Sequence, residues 1–292
     1  MTGHTMQPAL EHDIQPQIRP LVLTQREFAA ISALARNEFG VELGAGKEQL
    51  VAARIGKLMR KLHFSSFREY YGHLQSDRSG QYLIQLIDSL TTNHTSFFRE
   101  QPHFDFLLER VFPEWEGNRP MRIWSAASST GEEPYTIALV ALEYFGSRGR
   151  SAPSILASDI STHALDTARK GAYPAQRLQS ALAPWLRRHV LRGEGQWDGW
   201  YRMRPEVMSM VEFRRINLIQ PFPELGKFDL IFCRNVMIYF SHQTQAQLIA
   251  RLVACLEPGG YLFVGHSESL TGIQHDLRHV QPAIYRKRGV KR

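Results

Sequence analysis

The chain has 292 residues, 43% hydrophobic and 22% charged, with a formal net charge of +7 at neutral pH. That length suits one large domain or two ordinary ones, and the balance is that of a globular protein rather than a disordered or fibrous one. Two cysteines are too few for a disulfide framework or a zinc site, no apolar run reaches the roughly 20 residues a bilayer span needs, and the start lacks a secretory pattern, so a reducing cytoplasm without membrane insertion is expected.

Residues 1–20 are polar, hold three prolines and read as a flexible tail. Residues 21–90 read as an all-helical domain. In KEQLVAARIGKLMRKL the apolar Val51, Ile55, Leu58, Met59 and Leu62 recur at helical spacing. Lys47, Arg54, Lys57 and Lys61 fall on another stripe of the same helix. For a generic charge stripe the plainer reading is a solvated face. FREYYGHL and GQYLIQLIDSL read as further helices.

Residues 91–104 form a linker, TTNHTSFFREQPHF, in which Asn93, Thr95 and Arg99 stand among Phe97, Phe98 and Phe104. Packing two domains together explains the aromatics but not so dense a polar set, and domain junctions are where ligand clefts form.

From residue 105 to 288 the pattern becomes strand–loop–helix. RIWSAA, SILASDI, MVEFRRINL, FDLIFCRNV and GGYLFVGHS read as strands, with helices between them, which implies a parallel sheet covered on both faces. LEPGG reads as a turn that closes the last helix. Residues 185–213 break the alternation with Gly193, Gly195 and Gly199, and predict a small antiparallel β-subdomain near 188–214.

The most informative stretch is residues 122–139. A strand runs into Ser128-Ser129-Thr130-Gly131, then a helix that opens on Glu132, Glu133 and Pro134. A phosphate site places bare amides or a Lys there. Carboxylates suit an ammonium instead, so S-adenosylmethionine, with its ammonium and sulfonium, is the candidate. On this segment alone, the carboxylates read equally well as favourable company for a helix's positive end.

Ligands of open α/β sheets sit beyond the carboxyl ends of the strands. Asp159 ends the second strand, where it can accept from ribose hydroxyls or cap the next helix, a duty Ser161 or Thr162 can also take. Asn217 and Leu218 can flank an adenine ring. Arg234, Asn235 and Tyr239 follow FDLIFC. The histidines show no metal-ligand spacing, so no metal is expected. His266, Ser267 and Glu268 read as a structural loop.

Together LTTNHTSFFRE, WSAASSTGEEPYTIA, ILASDIST, FDLIFCRNVMIYF and LFVGHSESL resemble the chemotaxis receptor methyltransferase family, CheR, over residues 21–288. The resemblance implies a Rossmann-like S-adenosylmethionine-dependent α/β domain preceded by a helical one. It implies methyl transfer to glutamate carboxylates of chemoreceptor cytoplasmic domains, with S-adenosylhomocysteine as product. It carries cofactor contact to Asn93, Thr95, Arg99, Glu133, Asp159, Asn217, Leu218, Arg234 and Asn235. Arg99 and Tyr239 would sit nearest the methyl as catalytic residues. Glu132 is left to helix-start electrostatics. Lys47, Arg54, Lys57 and Lys61 would dock the Glu-rich receptor helices, and the loop length suits the subset of members whose β-subdomain takes a receptor's C-terminal pentapeptide as an added strand.

A glutamate is ionised at neutral pH and a methyl sulfonium is already activated, so the protein's task is orientation and desolvation rather than base catalysis. Rival readings are a nucleic-acid methyltransferase, favoured by the basic charge alone, a non-catalytic S-adenosylmethionine-binding module, and a small-molecule carboxylate methyltransferase. The chain lacks the Asn/Asp-Pro-Pro-aromatic tetrapeptide of amino-methylating enzymes and the Pro-Cys pair of cytosine C5 enzymes, so no nucleic-acid partner is expected.

Overall fold

The structure, a computed structural model, describes residues 21–44, 46–91, 93–178 and 184–289, the side chains of 184–186 excepted. The expected tail at 1–20 lies outside the described residues. The chain opens on four helices: α1 (Gln25–Phe39), α2 (Glu48–Lys61), α3 (Phe67–Ser76) and α4 (Gln81–Leu90). Thr24 and Glu27 close a reciprocal capping box at the start of α1, and Gly40, at φ 76°, ends it in the left-handed region. Ile31 and Phe39 of α1, Val51 and Ile55 of α2, Tyr70 of α3 and Ile87 of α4 share one buried core.

After the linker, α5 (Pro102–Phe106) leads into the α/β half. The strands β1 (Arg122–Ser125) and β2 (Ser154–Asp159) flank α6 (Glu132–Gly146), and α7 (Thr162–Lys170) follows β2. β3 (Ala172–Pro174), α8 (Ala175–Leu178), β4 (Val190–Arg192), β5 (Trp200–Met203) and α9 (Pro205–Met208) come next. β6 (Val211–Arg215), β7 (Phe228–Cys233), α10 (His242–Cys255), β8 (Leu256–Val264), β9 (Leu277–Gln281) and β10 (Ile284–Lys287) complete the order.

The large sheet runs β6-β2-β1-β7-β8-β10-β9. Its first five strands are parallel, and β10 is antiparallel to both β8 and β9. β7 is buried along its whole length, as a central strand covered on both faces must be. Trp124 on one side of β1 and Ile123 on the other belong to two separate apolar clusters, one per face of the sheet.

The small sheet is antiparallel, in the order β3-β5-β4. Its first strand, at residues 172–174, lies well before the range 188–214, while Val211–Arg215, which overlaps the end of that range, pairs with β2 in the large sheet. A three-residue strand carries too little alternation to register as one in the sequence. The Pro-Gly-Gly segment also differs from its reading as a turn. Leu256 already pairs with Phe228, Tyr261 pairs with Leu230, and Pro258, Gly259 and Gly260 form a bulge inside β8. The β9–β10 hairpin was not among the predicted strands. Arg278 and His279 of β9 are exposed and Ala283 turns the corner at φ 63°, so neither a long apolar run nor a glycine marks it.

Candidate active site

A cleft enclosing about 1060 Å³, part of it open to solvent, lies beyond the carboxyl ends of β1, β2 and β7. Phe39, Val41 and Leu90 of the helical half roof it. The linker contributes Asn93, Thr95 and Arg99 to its wall. Glu133, Asp159, Asn217 and Leu218 line it from the α/β half, as do Arg234, Asn235 and Tyr239. Ten residues drawn from five separated motifs therefore face one space.

Each is held by local structure. Gly131 turns the chain at φ 98°, and a Cβ there would lie 2.6 Å from the Tyr173 hydroxyl and 2.8 Å from Ala168 Cβ. The tight turn brings Ser129 back so that its N–H donates to Asp159 Oδ2 at 2.8 Å. The N–H of Ser161 donates to Asp159 Oδ1 at 2.9 Å. The cap of α7 belongs instead to Ser161, whose hydroxyl accepts from Ala164 N–H at 3.1 Å. Burial pushes the Asp159 carboxyl above its ordinary range, against the pull of these backbone donors.

The two adjacent glutamates part company. Glu132 is fully buried and turns to the small sheet, where Arg177 Nη1 donates at 2.8 Å and Thr130 Oγ1 at 2.6 Å. Helix-start electrostatics is thus not its main duty: it clamps the loop to α8 through an ion pair whose acid is buried and whose Arg177 is exposed. Glu133 faces the cleft. Its Oε1 accepts from Ser125 Oγ at 2.7 Å and its Oε2 from Arg234 Nη1 at 2.8 Å. A carboxylate has about four lone-pair directions, so two remain for a ligand cation.

Arg234 is 5% exposed and joins three groups. Beyond Glu133 it donates through Nη2 to Glu100 Oε2 at 3.0 Å and to the carbonyl oxygen of Arg99. Asn217 donates to the Glu38 carbonyl at 2.7 Å, tying α1 to the sheet beside the buried Leu218. Arg99 reaches back to the His94 carbonyl at 2.9 Å, and the Tyr239 carbonyl accepts from Glu42 N–H at 2.8 Å.

Two acids escaped the sequence reading of the site. Glu268 accepts from the backbone N–H groups of Gly265, Asn235, Met237 and Ile238, and so shapes the turn that presents Asn235 and Tyr239. This gives the expected structural loop at 266–268 a specific task. Glu100 accepts from Asn235 and Arg234. Burial disfavours its charge, but those donors outweigh burial and hold its carboxyl at about 2. Only its place beside Arg99 could have flagged it.

Spacing in the sequence did not reveal that Glu100, His103 and His266 converge to within 4.8 Å of one another. Glu100 already takes three N–H donors, one of them a guanidinium. The Arg234 guanidinium opposes a cation there. Burial, with help from Arg234, pushes His103 down to about 3.

Lys47, Lys57 and Lys61 are exposed on α2, outside the cleft. Arg54 differs from its stripe-mates: it is half-buried and donates to the Leu90 carbonyl at 2.6 Å, where α4 ends. Among the described residues no helix is long and apolar enough to cross a membrane.

Residues 26–91 match the family described as CheR methyltransferase, all-alpha domain, and residues 93–285 match CheR methyltransferase, SAM binding domain. Chemotaxis protein methyltransferase 2 of Pseudomonas aeruginosa is 43% identical over 263 residues, covering 90% of this chain and 93% of that protein. The chemotaxis protein methyltransferase of Borreliella burgdorferi is 38% identical over 273 residues, covering 91% and 95%. Chemotaxis protein methyltransferase 1 of Vibrio cholerae is 38% identical over 264 residues, covering 89% and 95%. With both halves matched and the motifs converging on one cleft, the chain belongs to the CheR methyltransferase family.

Proposed function

We propose that this chain is an S-adenosylmethionine-dependent protein-glutamate O-methyltransferase that esterifies glutamate side chains on chemoreceptor cytoplasmic helices. The observation that carries the reading is the pairing, in one cleft, of acids with a linker arginine and a tyrosine. The acids match the charge of an ammonium and the hydrogen-bonding needs of a ribose. The arginine and tyrosine match a carboxylate. The buried, unpartnered hydroxyls of Ser128 and Ser129 add donor capacity on the same loop.

When bound, S-adenosylmethionine supplies a methyl group on a sulfonium, which is already electrophilic. Glu133 holds the ammonium with its two open lone-pair directions, and Asp159 accepts from the ribose hydroxyls. Leu218 and Asn217 flank the base. Arg99 presents a fork matched to the acceptor carboxylate, and the Tyr239 hydroxyl donates one further hydrogen bond. The acceptor is ionised at neutral pH, so no residue needs to remove a proton. Roofing by the helical half narrows the access of water to the cleft, and a less solvated acceptor oxygen favours attack.

The direct test is transfer of tritiated methyl to purified receptor cytoplasmic domains, with base-labile ester counted as product. Transfer to nucleic acid in place of receptor would overturn the reading.

Docking is electrostatic on this reading. Lys57→Glu with Lys61→Glu is expected to lower receptor methylation about tenfold at low salt, with binding of S-adenosylhomocysteine unchanged. Arg54 is unsuited to this test because its side chain supports the end of α4. Steady-state rates at two ionic strengths, with calorimetry on the product, check the split.

The small sheet is the proposed site for a receptor's C-terminal peptide. β4 is an edge of that sheet, and Leu191, Trp197 and Trp200 are exposed on and beside it. An edge strand offers unpaired backbone groups to an added strand, and the apolar side chains offer contact for alternate residues. Titration of a free receptor C-terminal peptide is expected to release heat and to shift amide signals of residues 190–203. A flat titration counts against tethering while leaving the transfer activity as it stands.

A further inference from the structure

Glu100 belongs to none of the motif roles assigned above. Its backbone is left-handed (φ 60°), as is that of Phe98 (φ 56°) and of Asn235 (φ 57°), which follows β7. Residues with side chains disfavour that region, so this turn does not stand on local preference and needs contacts to keep it. Glu100 supplies them. Its Oε2 accepts from Arg234 Nη2 at 3.0 Å and from the His266 N–H at 3.2 Å, and its Oε1 accepts from Asn235 Nδ2 at 3.1 Å. One carboxylate thus ties the linker to the ends of β7 and β8.

The same guanidinium also reaches Glu133 and the Arg99 carbonyl. Arg234 is therefore shared between the acid that faces the cofactor's ammonium and the backbone of the residue facing the acceptor. Two carboxylates, one at each end, balance the pull on it.

We propose that Glu100 is a positioning residue for methyl transfer: by neutralising and fixing Arg234 it holds the backbone of Arg99 in register with the strand end that carries Asn235 and Tyr239. It touches neither substrate. Its effect runs through the placement of Arg99, and this inference rests on the reading of Arg99 as the acceptor-side residue.

Glu100→Gln keeps the shape but removes the charge and turns an N–H₂ toward existing donors. Since a small misplacement of a positioning group costs orders of magnitude in rate, kcat at saturating donor and receptor is expected to fall at least about tenfold. Affinity for S-adenosylhomocysteine, measured by calorimetry, is expected to stay within about threefold, because Glu133 and Asp159 remain in place. Amide exchange in peptides spanning residues 94–101 is expected to quicken, with exchange elsewhere unchanged. A kcat within about twofold of the parent overturns the proposal, as do equal losses of kcat and product affinity, which would mark general loosening. If Glu100→Gln does not fold, Glu100→Asp is read by the same measurements, since its shorter side chain cannot reach all three donors at once. Failure of the parent enzyme to methylate receptor, by contrast, would refute the proposed function and not this role.

Discussion

Glu133→Gln is expected to weaken binding of S-adenosylhomocysteine by about 10- to 100-fold. A hydrogen bond to a charged group contributes about 1.5–3 kcal/mol, and each 1.4 kcal/mol is about a factor of ten in affinity. The carboxylate is buried, and both of its oxygens are already engaged on the protein side, by Ser125 and by Arg234. It is therefore fixed in direction before any ligand arrives. The amide removes the negative charge and turns a donor toward either the hydroxyl or the guanidinium. Arg234 keeps Glu100 as a partner, so the fold is expected to survive with a modest loss of thermal stability. Glu133→Ala is expected to cost more, about 3–5 kcal/mol, because it removes one partner of a buried pair and opens a cavity. Calorimetric titration with the thioether product and thermal melts of both variants check the contrast. An affinity for product within about twofold of the parent would remove Glu133 from the ammonium site.

Tyr239→Phe is expected to do the opposite. It should lower kcat by about 10- to 100-fold, the worth of one hydrogen bond to a charged acceptor, and leave product affinity nearly untouched. The residue stands at the end of a short turn after β7, packed at the edge of a core cluster that includes Met237 and Phe240. Its carbonyl accepts from Glu42, and phenylalanine preserves both that hydrogen bond and the ring packing. Only the hydroxyl is lost. Single-turnover methylation of a receptor fragment, run beside calorimetry on the product, separates the two effects. Parallel loss of rate and product affinity would mean that Tyr239 serves the donor and not the acceptor.

The structure also changes how some residues should be used in experiments. Arg54 was expected to act with Lys47, Lys57 and Lys61, and it shares their helix stripe. Its guanidinium instead supports the last carbonyl of α4. Charge reversal at Arg54 would disturb the roof of the cleft along with any docking surface. The paired glutamates carry a similar lesson. Adjacent in sequence, they point to different partners, and a double substitution would confound loop anchoring with ligand binding.

Much of this protein was legible in its sequence. Helical periodicity in residues 21–90, apolar runs for the parallel strands and the small-residue loop before Glu132 are local signals, written within a dozen residues each. So was the charge logic of the loop, since carboxylates at a helix start exclude a phosphate whatever the fold. The resemblance assigned Glu133 and Asp159 to the ligand, but the protein partners of Glu132, Glu268 and Glu100 were not legible. The partners of Glu132, Glu268 and Glu100 lie 45, 33 and 134 residues away, at Arg177, Asn235 and Arg234. Hydrogen bonds of that span exist only after the sheet brings strand ends together and the linker folds across them. The sequence alone therefore determined most of the longer secondary elements and the class of fold, and its family resemblance supplied the chemistry of the ligand. The tertiary structure alone decided which side chains meet, because a charge in a low-dielectric cleft takes its role from the partner it is packed against and not from its neighbours along the chain.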